Sequence, residues 1–564
     1  MERRTFAIWA VGIGLVLGIL GNVFFYGRVI GLSFPLFTVL SVIAVLAARP
    51  AKQPLSRRNL WPLIPLLFFA AMVAVRADGL INLLNILAVL SLGGLTLFYL
   101  PLARALDEDS LLEQVGHTLE AGLELPPHAG REARFAWDWL RERRSRRGGA
   151  AASVLRGLMF ASPVLVVFVF LLGSADVVFA DYVNKAWAGL RQLLGLQMMG
   201  DAVPRLLFTL FVAALGTGAL GYAWFRRERP VRRRYIAVGS AVSEMPPDEE
   251  TAAELEAKTK PSVKLGMIET GVILGSVVAL FAAFVFIQFA YFFGGQQNIS
   301  IEGLTYAQYA RRGFFELVAV SVLTLGLALW LDRVTVRQER REQLIFRGLC
   351  VALVALTTVM LVSASQRMLL YEDAFGFTQL RVYTHVFMHW LGVLFIVFLL
   401  ALFRVRKNVF SLGSLLVIIG YLGTLNLMNV DLYIADRNIA RYRAGQELDI
   451  AFLNILSVDA APAIIPLYTE TTDNPAVHDW AGQWLVRKLI ALDNLREGDG
   501  ATVFSANLSR ESAWAQLDAA RDTLPEYDSS SYWWYQGSYY GYEGSYGGDY
   551  RSGWDLVPTP AGGR

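Results

Sequence analysis

The sequence has a single cysteine, Cys350, and only five histidines in 564 residues. One cysteine excludes an internal disulfide framework and any metal site built from several thiolates. No Walker loop, no His-Glu-x-x-His and no Gly-x-Ser-x-Gly occurs, which argues against an ATPase, a zincin or a serine hydrolase. A transferase acting on a lipid-linked substrate stays open, because its signatures are weaker. A strong charge imbalance is also missing. The formal net charge is +3 and the charges are segregated along the chain, so the balance points to no polyanionic partner. No nucleic acid is expected.

Apolar residues are abundant instead. They make up 55% of the chain, with a mean hydropathy of +0.43. They fall in runs long enough to cross a bilayer, which takes about 20 residues in a helix. The expected fold is all-α: a polytopic membrane bundle of about eleven spans with a small helical extracytoplasmic C-terminal domain. The expected spans are 5–26, 30–48, 60–76, 79–101, 153–174, 206–225, 266–293, 313–331, 346–364, 382–403 and 409–428. The N-terminal run has the basic flank of a signal peptide but is long and lacks a small-residue cleavage site. It is expected to be a retained first helix.

Arginine-rich segments alternate with poorly basic ones along the chain. "ARPAKQPLSRRN", "WLRERRSRRGG", "RRERPVRRRY", "DRVTVRQERRE" and "RVRKN" fall on one side of the expected topology. The positive-inside rule then puts the N-terminus on the cytoplasmic side and the C-terminal region on the outer side of the membrane. The expected divisions are N-terminal membrane helices (1–102), a cytoplasmic loop with an Arg cluster (103–151), the main bundle (152–429), an extracytoplasmic helical domain (430–526) and a Tyr/Gly-rich flexible tail (527–564).

The 103–151 segment looks too polar to insert, and "DEDSLLEQVGHTLEAGLEL" has the spacing of a short amphipathic helix. The Arg cluster Arg141–Arg147 follows it. It is either a topogenic stop signal or a holder of anionic lipid headgroups. After the last span, "NIARYRAGQELDIAFLNILSVDAAPAIIPLY" and "VHDWAGQWLVRKLIALDNL" have amphipathic helical spacing. "SRESAWAQLDAARDTL" suggests a helix capped by Ser509, with Glu511 in its first turn.

Charges near or inside spans cost about 2.5–3.5 kcal/mol each at mid-helix on insertion scales, so each is a candidate functional group. They gather at the expected outer ends. "YARRGFFELVAV" supplies Arg311, Arg312 and Glu316, the last two spaced to pair on one face. "SASQRMLLYEDAFGFTQLR" supplies Arg367, Glu372, Asp373 and Arg381 on a connection between spans. "NLMNVDLYIADRNIARY" supplies Asn429, Asp431, Asp436 and Arg437. A compact bundle would converge these segments on an outer vestibule, with Asp176 and Asp181 nearby.

Arg381, His385 and His389 recur at helical spacing and should face the protein interior beside Glu372 and Asp373. Three readings stay open for this stripe: interhelical hydrogen-bonding glue, a solute or proton path, and a metal pair in His-x-x-x-His. No cofactor or metal is assigned. Anionic lipid at the basic loops and an envelope protein are the expected partners.

Three segments, "YARRGFFELVAVS", "RMLLYEDAFGFTQLRVYTH" and "NVDLYIADRNIARYRAG", resemble a bacterial family of polytopic membrane proteins known as a domain of unknown function. The resemblance covers about residues 150–465. It implies an inner-membrane protein and transfers no catalytic role. The leading expectation is a non-enzymatic envelope protein that handles or senses a solute or partner at its outer face. A transporter or channel is one alternative, and an envelope enzyme acting on a lipid-linked substrate is another.

Overall fold

The structure is a computed structural model that describes residues 3–51, 53–102, 105–143, 181–183, 185, 202–226, 265–293, 314–403, 409–498 and 501–527. Among the described residues the fold is helical, and its extended pairing is one isolated bridge, Leu265 with Thr335. The helices are α1 (Arg3–Phe25), α2 (Ser33–Ala47), α3 (Leu63–Val75), α4 (Gly79–Tyr99), α5 (Leu111–Arg143), α6 (Ala202–Phe225), α7 (Met267–Phe293) and α8 (Phe314–Val334). They continue with α9 (Arg340–Phe375), α10 (Gln379–Phe403), α11 (Val409–Met428), α12 (Val430–Arg443), α13 (Ile450–Leu453), α14 (Ala461–Glu470), α15 (Pro475–Glu497) and α16 (Leu508–Ala519).

Nine helical runs among the described residues are long and apolar enough to cross a membrane, one of them Arg57–Val75, in which a 3-10 turn at Arg57–Leu60 leads into α3. They coincide with nine of the eleven expected spans. The expected span 30–48 is shorter than read: α2 has 15 residues, or about 22 Å at 1.5 Å per residue, short of a hydrocarbon core about 30 Å thick. The expected span 153–174 lies outside the described residues.

Small residues decide the closest helix pair. Gly14, Gly18 and Gly21 of α1 face Thr217, Ala213 and Val212 of α6 in descending order, so the two run antiparallel. A Cβ at Gly18 would lie 2.8 Å from that of Ala213. Such small-residue stripes let backbones approach where lipid supplies no hydrophobic drive. A second apolar cluster joins α7, α8, α9 and α10 through Phe346, Leu353, Met388 and Phe395. A third joins α3, α4 and α5 through Phe69, Leu92, Tyr99 and Ala121.

Helices α12 to α16 form a head on one face of the bundle. Its core, with Ile464, Trp480 and Trp484, is continuous with Ile81, Val382 and Leu425 of the spans. Asn429 makes the break between α11 and α12 with a left-handed φ of 51°. Leu32 N–H donates to the Ala506 carbonyl at 2.8 Å. Asn438 brackets Phe377, accepting from its N–H at 2.8 Å and donating to its carbonyl at 2.9 Å. The head therefore grips the α1–α2 and α9–α10 connections at once.

Three local expectations are corrected. The acidic connection after 364 is helix, because α9 runs on to Phe375 and ends where Gly376 takes a φ of +80°. Glu372 and Asp373 thus sit on its last turn. Ser509 is not the cap of α16: Asn507 is, accepting from Arg510 N–H at 3.1 Å. The 103–151 segment is not merely a short polar loop helix. The 33-residue α5 continues through Pro126 and Pro127 and buries one face on the bundle, where Arg3 pairs with the buried Glu132 at 2.6 Å.

Candidate functional site

Polar groups collect where the head meets the spans. The chain turns between α3 and α4 at Arg76, Ala77 and Asp78. Asp78 caps α4, accepting from Leu80 N–H at 2.7 Å and Ile81 N–H at 3.1 Å. This is what an N-cap aspartate does for the orphan donors of a helix start. Asp459, on a 3-10 turn of the head, accepts from Ala77 N–H at 3.1 Å and Asp78 N–H at 3.3 Å. Asp431, in the first turn of α12, accepts from Gln379 Nε2 at 2.7 Å and Ser457 N–H at 2.8 Å. The same Gln379 amide reaches Asp78 at 3.4 Å. Three buried carboxylates are thereby satisfied by backbone and amide donors drawn from both sides of the junction.

Burial pushes the Asp78 carboxyl above the usual carboxylate range, and the neighbouring Asp431 charge adds to it. Burial likewise raises Asp459, opposed by hydrogen bonds from Ser509 and Ala77. On the head side, burial brings Lys488 down to about 8, with Arg487 adding to the shift and Asp431 opposing it. Lys488 donates to the Leu456 carbonyl at 2.7 Å. Arg76 donates to the Asn426 carbonyl at 2.7 Å. Just inside the spans, Asn85 and Asn426 exchange amide hydrogen bonds of 2.9 and 2.8 Å.

A second cluster sits between α9 and α10. His385 Nδ1 is 3.0 Å from Glu372 Oε2, and its Nε2 is 3.2 Å from Ser365 Oγ. The tautomer sets which atom donates at each contact. Glu372 is buried. Arg381 donates to the carbonyls of Phe375 at 3.0 Å and Gly376 at 2.5 Å, and to Tyr371 Oη at 3.2 Å. Its guanidinium lies over the Tyr371 ring at 4.2 Å.

The expected stripe is therefore split. Arg381 and His385 do pack beside Glu372. His389 does not face the interior: it is exposed, its Nδ1 donates to the His385 carbonyl at 2.8 Å, and its ring stacks on that of His385 with centroids 5.1 Å apart. One turn further along α10, its face has moved past the α9 contact. On the apolar side of α10, Phe387 is exposed and Phe398 is buried.

Asp373 is exposed, but its carbonyl accepts from Arg441 at 2.8 Å. Glu316 is exposed on the first turn of α8, and Arg367 is partly buried on α9. Arg311 and Arg312 lie outside the described residues, and with them the expected Arg312–Glu316 pair. Asp431 joins the head junction and not the Glu372 cluster. No group of three or more His, Cys, Asp or Glu suited to a metal occurs among the described residues.

Sequence reasoning missed Asp78, Asp459, Gln379, Lys488 and the Asn85–Asn426 pair. A signal existed for the asparagines. An amide inside an apolar run is expensive for the same reason as a charge. Asp78 was visible as an interruption between two runs.

No curated protein and no solved structure matches the chain. A family model described as a domain of unknown function (DUF4153) matches residues 63–467. That stretch begins with α3 and ends within α14, so it includes Asp78, Gln379, Asp431 and Asp459 as well as Ser365, Glu372 and His385. It starts well before the stretch expected from the sequence resemblance, and it takes in both the bundle and the first part of the head. By that match over most of its length, this chain, an integral membrane protein, belongs to the DUF4153 family.

Proposed function

We propose that the protein is a scaffold of a bacterial inner membrane, a helix bundle that holds its head at the outer face for a protein partner of the envelope. The observation that carries this reading is the closure of the polar clusters. Arg381, Glu372 and Asp431, which would line an open vestibule, are each engaged by groups of the chain itself. A substrate-handling cleft keeps such groups available, and a transport path continues them across the bilayer. The Arg-rich loops support a cytoplasmic N-terminus and an outer head.

Two measurements test it. Reporter fusions at Gly148 and Pro247 should read as cytoplasmic and at Asp499 as external. Competitive fitness of cells carrying Glu372→Gln or Asp431→Asn should follow the thermal stability of the head. A variant that melts like the parent yet behaves like a deletion would overturn the scaffold.

One observation favours a second reading. Ser365, His385 and Glu372 stand in the order hydroxyl, imidazole, carboxylate, the relay that activates a serine nucleophile. In a lipid-facing helix pair it would suit an acyl ester. The scaffold is preferred because Ser365 lies within α9, whose backbone N–H groups are spent in the helix and cannot stabilise an oxyanion. Fluorophosphonate labelling lost in both Ser365→Ala and His385→Asn would reverse that preference.

A further inference from the structure

Helix α5 has a buried face and an opposite, apolar one, and among the described residues only the buried face packs on protein. The buried face sets Gln114, Ala121, His128, Glu132 and Ala136 against the bundle. On the opposite side Leu112, Val115, Leu119 and Leu123 follow one another at spacings of three and four. Leu112 is 70% exposed, Leu119 61% and Leu123 77%. Glu113, Glu120 and Glu124 mark the edge between the two faces.

The depth of α5 indicates what covers that stripe. Thr118 packs on Gly94, where a Cβ would lie 3.2 Å from its methyl. Gly94 is five residues before the end of α4 at Tyr99. Leu125 packs on Gly218, seven residues before the end of α6 at Phe225, and leaves no room for a Cβ there. Five to seven residues place α5 about 8–10 Å inside the ends of these spans. That is the depth at which an in-plane amphipathic helix buries its apolar face, about 5–10 Å into the headgroup–acyl boundary. A spanning course is excluded by Glu120, Glu124, Arg131 and Glu132, which would fall in the hydrocarbon core. Beyond Trp137 the sequence becomes basic, from Arg141 to Arg147, as suits a helix end at anionic headgroups.

We propose that α5 is an interfacial helix of this protein, inserted sidelong into one leaflet, with Leu112, Val115, Leu119 and Leu123 on the acyl chains of phospholipid. The bundle then meets that leaflet through a lateral arm as well as through its spans.

The test uses the full chain with cysteine at position 119, 123 or 120, each labelled with an environment-sensitive fluorophore. The buried Cys350 of the unsubstituted parent serves as the labelling blank. In nanodiscs of phosphatidylcholine and phosphatidylglycerol, probes in Leu119→Cys and Leu123→Cys should emit blue-shifted light. Lipids bearing a nitroxide on an upper acyl carbon should quench them at least about twofold more than the probe in Glu120→Cys. If Leu119→Cys fails to fold, Val115→Cys replaces it. Blue-shifted probes that lipid nitroxides do not quench would overturn the proposal, because a second copy or another segment of the chain then covers the stripe. Probes with water-like emission would overturn it too, and leave an aqueous docking face.

Discussion

The two ends of the bundle are both closed by helices that do not span it, but by opposite electrostatic means. At the head junction, Asp78, Asp431 and Asp459 are held by N–H donors of the backbone and of Gln379. At the other end, Glu132 of α5 is held by the Arg3 guanidinium at 2.6 Å, which also lies 3.8 Å from the Phe225 ring. A carboxylate bound by neutral donors can be replaced by an amide of the same shape with little loss. A carboxylate bound by an ion pair tolerates the change less well, since removing Arg3 leaves the Glu132 charge buried without its partner. The junction is thus tolerant in charge and strict in shape, and the α5 end is the reverse.

The largest effect should come from removing shape at the junction. Asp459→Ala leaves the buried Asp78 N–H and the half-buried Ala77 N–H without their acceptor and should cost about 2–4 kcal/mol. Hydrogen exchange in α14 to α16 would then rise towards that of a detached head, while Asp459→Asn should cost under about 1 kcal/mol. Equal losses in the two variants would break the contrast.

Breaking the ion pair comes next. Arg3→Met should cost about 2–3 kcal/mol, less than a fully buried pair because Arg3 is partly exposed. Glu132→Gln should cost less than Arg3→Met, because water can reach the Arg3 guanidinium, but more than the amide exchange at the junction. Thermal melting of the detergent-solubilised protein measures both.

Titration sharpens the comparison. Lys488 is pushed down to about 8 from an unfolded value of 10.5, so the stability tied to its neutral form is lost as pH falls through about 8. Raising the pH from 7 to 9 should stabilise the parent by about 1 kcal/mol more than Lys488→Met. Asp78 and Asp459 act with the opposite sign. Their raised values favour the folded head in acid, and that contribution disappears as pH climbs above the ordinary carboxylate value. The smallest effect belongs to His389→Leu, within about 0.5 kcal/mol, because the ring is exposed and bonds only within its own helix. A larger loss would return His389 to the interior.

The membrane spans were legible because span-length apolar runs are a local signal. The end of α9 was misread for a local reason as well. "YEDAF" is polar enough to suggest a loop, and the backbone bonds that carry the helix to Gly376 have no hydropathy signature. The Glu372–His385 contact was partly legible, since helical spacing placed both groups near one interface. The head junction was not. Asp78 meets Asp459 across 381 residues, and no spacing rule reaches that far. His389 was misplaced because the stripe assumed that one face of α10 stays against α9 for its whole length.

The Asn85–Asn426 pair also sets an order of assembly. Its members are 341 residues apart, so a ribosome adding about 5–20 residues per second delivers the second roughly 20–70 s after the first. For that interval α4 lies in the membrane with its amide unanswered. The arrival of α11 ends it, at the same moment that the Asn426 carbonyl becomes available to Arg76. A chain that stops before α11 exposes an unpaired amide to lipid, a mark of incompleteness that every finished molecule conceals.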